Sequence, residues 1–266
     1  MKLGLSNILY LMRSDIKTFL ERRSFIKTMT LTDTEKKCLK NLRESGICTV
    51  ENYWSKEKCE RIKIVLEEKI KINKDQDFSN GSYIRFNKEK DKLNYDEGVV
   101  RIYHIDKELE ELKDFRYDPF ILNIASAYFG TPMYSSFIAF QHNMLSKTDT
   151  REYHVDYWEK EFKAFIYLDD VDLHNGPFAY IIGSNNAHIT RYKKLLLNSK
   201  GFSDTSFFEN DLGRWVKKEK PIIAKAGTLI LADVVGFHRG LPQLEKTRSL
   251  LYNNIYSHNT EQAPDK

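Results

Sequence analysis

The second half of the chain is built from short runs of β-branched and aromatic residues divided by turn residues. Such runs predict β-strands, and a long series of them predicts a sandwich or a barrel. Helical patterns precede the series, which indicates a β core buttressed by helices. We therefore predict a mainly β fold with flanking helices, either a β-sandwich or a jelly roll. The runs span residues 134–145, 164–168, 178–182, 221–224, 228–232 and 249–256.

Helix and loop signals divide the remainder of the chain. Asp33 and the charged residues after it predict the start of a helix that Gly46 ends, and Ser55 predicts the cap of the next helix. Pro119 begins a further helix that stops before Gly130. The remaining predictions are strands at 47–50 and 99–104, a helix at 188–197, and polar loops at 73–97 and 198–219.

Composition narrows the class of protein. The 266 residues have a hydrophobic content of 41%, which supplies a packed core, and a net charge of only +4. A chain with this balance of charge lacks the concentrated basic face of nucleic-acid-binding proteins. Cys38, Cys48 and Cys59 are odd in number, so we expect free thiols in a reducing, cytoplasmic compartment. We predict a helical extension over residues 1–30 and a single domain over residues 31–260.

The N-terminal helix pattern is open to two interpretations. No apolar run approaches the length of a membrane span, and no small-residue cleavage site follows the first apolar residues. Either an apolar stripe docks on the domain, or residues 1–27 form a basic amphipathic helix at a membrane surface. We expect docking. The stripe consists of Leu5, Leu9, Met12, Ile16, Phe19 and Leu20.

His154 and Asp156 are the first candidate functional residues. They are separated by one residue, and on an extended segment such a pair projects from the same face. The end of a strand would therefore deliver both side chains to one metal ion, which a helix could not do at this spacing. A tripeptide of this kind is weak evidence alone, because a surface hydrogen bond between the two side chains is an ordinary alternative.

A third ligand must come from another segment, and His238 has the favoured context. An apolar run over residues 227–233 leads to it, and Gly236 and Gly240 flank it, which leaves room for a co-substrate. Two imidazoles and one carboxylate cap one face of a metal ion and leave the opposite face open. This facial triad is typical of non-haem Fe(II) oxygenases.

Arg248 is the candidate partner of an anion. Strict alternation along the last predicted strand places Leu250 and Tyr252 on its face, so we expect it to point inward. An inward arginine needs an anionic partner. Its planar fork binds a carboxylate through two hydrogen bonds. That partner is either a dicarboxylate co-substrate or an internal acid in a structural salt bridge.

Four stretches stand out together: the His-x-Asp motif, YLDDVD…NGPF…GS, GTLILAD…HRG, and the arginine of KTRSLLY. In them the chain resembles the phytanoyl-CoA dioxygenase family of Fe(II)- and 2-oxoglutarate-dependent oxygenases, over residues 45–256. One departure is visible, since the family often has a histidine after Gly-Ser where this chain has Asn185. That position is not a metal ligand in the family, so the departure bears on a local hydrogen bond only.

The resemblance implies a double-stranded β-helix, a cupin-like jelly roll with helices along one side. It implies that the triad binds Fe(II) at the barrel mouth and that Arg248 holds the distal carboxylate of 2-oxoglutarate, with O2 as the oxidant. Gln141 and Asn143 are candidates for further contact with the co-substrate, and the alternative for both is an ordinary strand amide. Because a small residue replaces the carboxylate in halogenating relatives, Asp156 favours hydroxylation, with desaturation and ring formation left open.

The residues near the predicted barrel mouth indicate a polar or anionic small molecule as substrate. Arg101, Tyr157, Trp158 and Lys163 are the candidates, and core packing or a solvated charge is the alternative for each. Two other functions stay open. One is a non-catalytic metal- or metabolite-binding jelly roll. The other is the same chemistry on a protein- or carrier-tethered substrate, which the basic N-terminal stretch and the loop at 73–97 would serve.

Overall fold

The computed structural model describes residues 2–73, 75–87, 98–145, 151–197 and 201–257. Its α-helices are α1 (Lys2–Ile26), α2 (Asp33–Ser45), α3 (Lys56–Ile72), α4 (Lys113–Arg116), α5 (Pro119–Phe129), α6 (His188–Leu197) and α7 (Glu209–Leu212). Its strands are β1 (Ile47–Val50), β2 (Gln76–Asp77), β3 (Tyr83–Asn87), β4 (Val99–Tyr103), β5 (Tyr134–Asn143), β6 (Arg151–His154), β7 (Glu161–Tyr167), β8 (Phe178–Ile181), β9 (Glu219–Pro221), β10 (Leu229–Asp233), β11 (His238–Gly240) and β12 (Arg248–Tyr256). Short 3-10 turns lie at Ile105–Lys107, Glu110–Leu112, Leu173–Asn175, Ser184–Asn186, Gly201–Ser203 and Gly213–Lys218.

Two antiparallel sheets form the body of the molecule. The larger has the strand order β1-β10-β7-β12-β5-β4-β3-β2, and the smaller has the order β6-β11-β8-β9. Side chains from both sheets meet in one interior cluster, where Phe165 and Tyr167 of the larger sheet join Phe178 and Tyr180 of the smaller. This arrangement, with helices flanking the sheets, is the predicted jelly roll.

Strand β7 shows why the larger sheet is buried on both faces. Phe162 and Ala164 belong to the core beneath the helices, whereas Phe165 and Tyr167 belong to the interior between the sheets. Successive side chains of a strand point to opposite faces, so a strand covered on both sides reads as a nearly continuous apolar run. Lys163 interrupts that run, and the alternation places it on the interior face.

Side-chain caps set the starts of the helices that cover the larger sheet. The Thr32 hydroxyl accepts a hydrogen bond from the Glu35 amide at 3.2 Å, and the Thr32 amide donates to the Glu35 carboxylate at 2.7 Å. Ser55 caps α3 in a similar way, and Gly46 ends α2 in the left-handed region. The predicted helix boundaries are confirmed, except that the cap of α2 is Thr32 and Asp33 is its first helical residue.

Helix α1 docks on the domain through a face that differs from the predicted one. Ile8 and Leu11 are buried, and Asp15 accepts hydrogen bonds from the Tyr192 hydroxyl at 2.5 Å and from the His188 ring at 2.8 Å. The predicted apolar stripe is exposed instead, so the prediction that it docks is wrong. The pattern was ambiguous because α1 carries apolar residues on two sides, and the polar anchor selects the buried one.

Two segments predicted as loops contain regular structure. Strands β2 and β3 lie within residues 73–97, and β3 pairs with β4 so that Tyr83 stands opposite Tyr103. The loop prediction is therefore wrong for these strands. The short apolar alternation of β3 is surrounded by polar residues, and β2 has only the two polar residues Gln76 and Asp77. Residues 74 and 88–97 lie outside the described residues. Helix α7 likewise interrupts the predicted loop at 198–219.

The three cysteines are free and buried, as the count predicted. Each belongs to the core cluster beneath the helices, so apolar packing accounts for all of them. In the described part of the chain, no helix combines the length and the apolar character that crossing a bilayer requires.

Gly227 should be among the least replaceable glycines of the fold. Its φ is +82°, and a Cβ there would lie 2.0 Å from the Trp54 carbonyl oxygen. Gly227→Ala should lower the free energy of unfolding by about 2–5 kcal/mol, because backbone strain and overpacking add. Gly213→Ala is the matched control, since its φ is +53° and no atom of the described residues lies within 4 Å of its added Cβ. Urea unfolding measures both, and equal losses would contradict the packing argument.

Candidate metal centre

Strands β6 and β11 bring two histidines together. His154 is the last residue of β6, His238 is the first residue of β11, and the two are register partners. Their ring centroids are 4.2 Å apart. Asp156 follows β6, and one ligand atom from each of the three side chains lies within 4.8 Å of the others. The three predicted ligands therefore form one cluster that could hold a metal ion.

Backbone carbonyls orient both imidazole rings. The Nδ1 atom of His154 lies 2.8 Å from the carbonyl oxygen of Glu152, and Nδ1 of His238 lies 2.9 Å from that of Gly236. A carbonyl oxygen can only accept a hydrogen bond, so each Nδ1 carries the proton and donates it. In its neutral form each ring would then present the lone pair of Nε2, and such a fixed orientation is typical of metal-binding histidines.

Asp156 completes the cluster between the two rings. Its Oδ1 atom lies 3.4 Å from Nε2 of His154, and its Oδ2 atom lies 3.4 Å from Nε2 of His238. The ammonium of Lys163 donates to Oδ2 at 2.6 Å. The donor set is thus two imidazole nitrogens and one carboxylate, which suits iron with open positions for other ligands.

The protonation state of Asp156 follows from its neighbours. Burial alone would raise the pKa of this carboxyl, but the Lys163 ammonium and the His238 and His154 side chains outweigh burial and hold the pKa well below its usual range. The group is therefore a carboxylate, the form that binds a metal, throughout the neutral pH range.

The turn before His238 is held by buried hydrogen bonds. The Tyr180 hydroxyl donates to the Asp233 carbonyl at 2.7 Å, and the Phe237 amide donates to the Ser184 hydroxyl at 2.8 Å. A Cβ on Gly236 would lie 1.8 Å from the Tyr180 hydroxyl oxygen, so only glycine fits the turn. The glycine that the sequence assigned to co-substrate access thus serves close packing here.

Asn185 and Tyr128 support the same turn from the helical side. The Asn185 amide donates to the Tyr128 hydroxyl at 2.9 Å, and that hydroxyl donates to the Asp233 carboxylate at 2.7 Å. Burial raises the pKa of Asp233, whereas the hydrogen bond from Tyr128 opposes the shift. Sequence reasoning missed both Tyr128 and Asp233. A polar residue that ends the apolar run at 227–233 was the available signal for Asp233, and no local signal marks Tyr128.

Arg248 is a buried cation, as the strand alternation predicted. It is 2% exposed, and Leu250 and Tyr252 on its face belong to the interior cluster. One guanidinium nitrogen donates to the Gly176 carbonyl oxygen, and Nε has no hydrogen-bond partner among the residues that the structure describes. Among the described residues no carboxylate lies within ion-pair distance of it, so the internal salt bridge is not observed. Burial lowers its pKa, while Tyr167 opposes this shift.

The two candidate amides stand beside Arg248 on strand β5. Asn143 is the register partner of Arg248, and Gln141 is that of Leu250. The Arg101 side chain of β4 donates to the Gln141 amide oxygen at 2.9 Å, and the Gln141 amide donates to Asn143 at 2.8 Å. A line of hydrogen bonds therefore runs from β4 along β5 to Asn143, the residue that stands opposite Arg248.

The other substrate candidates lie in different surroundings. Tyr157 is 45% exposed, directly after the triad carboxylate. Trp158 is 4% exposed, packs against Phe202 and Phe207, and donates its indole N–H to the Phe202 carbonyl at 3.1 Å. Its contacts are therefore those of a packing residue. Lys163 does reach the triad, but its contact is the Asp156 carboxylate.

Several solved structures are similar in fold to this protein. No family model matches the sequence, and no curated protein matches it. SnoK, a non-haem α-ketoglutarate-dependent carbocyclase from nogalamycin biosynthesis, is 14% identical with a TM-score of 0.59 over 85% of this chain and 84% of its own. HygX from Streptomyces hygroscopicus, solved with nickel and 2-oxoglutarate bound, is 15% identical with a TM-score of 0.60 over 88% and 91%.

EctD from S. alaskensis, solved with bound Fe, is 13% identical to this chain. Its TM-score is 0.62, and the match covers 89% of this chain and 84% of that one. At such identities the likeness shows the fold alone, a jelly roll of the kind found in SnoK, HygX and EctD. The oriented imidazole nitrogens and the unsatisfied guanidinium nitrogen of Arg248 are features of this chain itself, and both fit a metal ion and an anionic co-substrate.

The contact between Lys163 and Asp156 should make stability depend on pH. A depressed folded-state pKa contributes stability that is present above the unfolded pKa, about 3.9, and lost as pH falls through the folded value. Lys163→Met should therefore lower the free energy of unfolding of the metal-free protein by about 1–3 kcal/mol at neutral pH, and by less near about pH 3. Urea unfolding in the presence of a chelator measures both values.

Lys225→Met is the matched control for this experiment. Lys225 contacts Asp170 at 3.0 Å, but its side chain is 81% exposed. Removal of such a surface pair should cost at most about 1 kcal/mol. A loss in Lys163→Met that is the same at both pH values would mean that the lysine stabilises by packing and not by charge.

Proposed function

We propose that this protein is an Fe(II)- and 2-oxoglutarate-dependent dioxygenase that hydroxylates an unactivated C–H bond of a small polar or anionic metabolite. The observation that carries the proposal is the grouping of His154, Asp156 and His238, with both Nδ1 protons directed to backbone carbonyls. A surface histidine–aspartate contact would need neither the burial nor the fixed tautomers. The fold shared with SnoK, HygX and EctD supports the same reaction class.

The roles of the metal ligands follow from their atoms. Nε2 of His154, Nε2 of His238 and the Asp156 carboxylate would hold Fe(II) and leave its other positions to small molecules. With iron, 2-oxoglutarate and O2 bound, the site would supply the oxidation that converts a C–H into a C–OH group, with succinate and CO2 as co-products. The carboxylate of Asp156 occupies the position that a halide takes in halogenating relatives, which favours hydroxylation.

Arg248 would bind the distal carboxylate of 2-oxoglutarate. A buried guanidinium without an acidic partner is costly, and a carboxylate supplies both charge and hydrogen-bond acceptors. The Gly176 carbonyl holds one nitrogen of the group, which fixes the direction of the remaining donors. Gln141 and Asn143 lie on the neighbouring strand and would contact the co-substrate or the substrate beside it.

Residues on the interior face of the larger sheet, beside Arg248, would select the substrate. Arg101 projects from β4 toward Gln141, and Tyr83 and Tyr103 stack beside it with ring centroids 4.6 Å apart. Tyr157 follows Asp156 in the chain and offers a half-exposed ring. A cation beside stacked aromatic rings suits a polar or anionic molecule with a flat or hydrophobic part. A ring-forming outcome, as the name of the carbocyclase SnoK indicates for that enzyme, would depend on how such a substrate is placed.

Removal of one ligand should abolish both metal binding and turnover. His238→Ala should weaken Fe(II) binding by at least about 100-fold, measured by anaerobic titration, and should stop the formation of succinate from 2-oxoglutarate. His174→Ala is the control, because His174 is a half-exposed histidine paired with Glu245. Wild-type protein that binds Fe(II) yet forms no succinate with any pool of metabolites would favour a non-catalytic binding protein.

Arg248 should affect the co-substrate without affecting the metal. Arg248→Met should raise the KM for 2-oxoglutarate by about 30-fold or more, since truncating one partner of a buried charge pair costs about 2–5 kcal/mol. Fe(II) affinity in the absence of 2-oxoglutarate should stay within about twofold of wild type, as should the KM of the exposed control Lys246→Met. A parallel loss of Fe(II) affinity in Arg248→Met would indicate a structural role for the arginine instead.

A further inference from the structure

Helix α1 presents a contiguous apolar surface to solvent. Six of its large apolar side chains are between 41% and 67% exposed, although α1 is held on the domain along its other side. Soluble monomers rarely expose contiguous apolar patches of this kind without an interaction partner. We call this surface the α1 stripe, and it consists of Leu5, Leu9, Met12, Ile16, Phe19 and Leu20.

The stripe runs along one side of the helix for most of its length. At about 100° per residue, its members fall within an arc of about 100° of the helix circumference. The docked residues Ile8, Leu11 and Thr18 face another direction and are at most 9% exposed. The helix therefore has two apolar sides, of which the fold uses one.

The docked side holds α1 in a fixed orientation. Asp15 accepts hydrogen bonds from Tyr192 at 2.5 Å and from His188 at 2.8 Å. The backbone of Arg22 packs so closely on Gly130 that a Cβ there would lie 2.5 Å from the Arg22 Cα. Because rotation of the helix would break these contacts, the stripe is a constant surface feature of the folded domain.

The charges beside the stripe are mainly positive. Arg13 and Lys17 lie along one edge of it, Arg23 continues it toward the C-terminal end, and Lys27 follows the helix, all of them exposed. Glu21 is an acid on the exposed part of the helix, and it lies 3.8 Å from the Lys17 ammonium. The helix thus combines an apolar side with a basic margin.

A groove with the same character adjoins the C-terminal end of α1. Half of its lining residues are apolar, and the others are three cations and one acid. Apolar surface next to exposed lysine and arginine therefore extends beyond the helix itself. The groove is lined by Ile26, Met29, Leu31, Lys36, Leu39, Lys40, Arg43 and Glu44.

We propose that the α1 stripe docks on an anionic bilayer surface, with its apolar side chains at the level of the lipid headgroups and the adjacent cations against lipid phosphates. An amphipathic helix with a basic margin binds such surfaces through buried apolar area and electrostatic attraction together. A second copy of this chain is the less suitable occupant, because two stripes in contact would bring two sets of exposed cations together. The proposal is independent of the chemistry at the metal centre.

Vesicle binding by the whole chain tests the proposal. Wild-type protein should co-sediment with phosphatidylcholine vesicles that contain phosphatidylglycerol, less with pure phosphatidylcholine, and less at high salt. Leu9→Ser with Ile16→Ser should reduce the partition coefficient at least about tenfold, because two inserted side chains lose their apolar burial. Arg13→Glu with Lys17→Glu should abolish the preference for phosphatidylglycerol.

The controls separate docking from misfolding. Ile72→Ser with Ile223→Ser replaces two apolar residues that are 82% and 57% exposed elsewhere on the surface, and should bind vesicles like wild type. The stripe variants should keep the wild-type thermal unfolding midpoint, since they alter exposed side chains. Failure of wild type to bind anionic vesicles would overturn the proposal. So would self-association in sedimentation equilibrium that the Leu9/Ile16 variant loses, since the stripe would then be covered by a second copy.

Discussion

The pairing of β6 with β11 is the interaction on which the candidate site depends. It makes His154 and His238 cross-strand neighbours, and the Asp156 amide donates to the Val234 carbonyl at 3.1 Å, which fixes the third ligand against the same turn. A slip of one residue would turn a histidine to the opposite face of the smaller sheet. Short strands specify register weakly by themselves, so the buried hydrogen bonds around Asp233 are needed to hold the register between β6 and β11.

The buried charges inside the jelly roll explain why an anionic co-substrate would bind there. Lys163 offsets the Asp156 carboxylate, so Arg248 is left as a buried cation whose Nε atom finds no hydrogen-bond partner in the described part of the chain. Hydrophobic residues of the same volume would pack there at lower cost. The presence of a buried cation at this position is explained when an anion enters the site. A dicarboxylate meets the need of Arg248 for an anion with one carboxylate and can reach a metal ion with its other end.

The sequence predicted those features that depend on local periodicity. The spacing of two positions from His154 to Asp156 placed both on one side of an extended segment. Alternation along β12 placed Arg248 inward with Leu250 and Tyr252. Contacts between distant elements were not predictable. The hydrogen bond from Tyr128 to Asp233 joins a helix to a turn far along the chain, and nothing in either segment indicates the other. The prediction of which side of α1 docks failed for a related reason, because two apolar stripes on one helix satisfy the same periodicity.

Those distant contacts also join the N-terminal helix to the candidate metal centre. The Arg22 guanidinium of α1 lies over the Tyr128 ring at 5.0 Å, and Tyr128 donates to Asp233 at the start of the turn that carries His238. Close packing of α1 against Gly130 keeps that ring covered. A charge-assisted hydrogen bond of this kind is strong only while water is excluded. The docking of α1 thereby protects the hydrogen bond at the turn that carries His238, so the helix supports the candidate site from a distance.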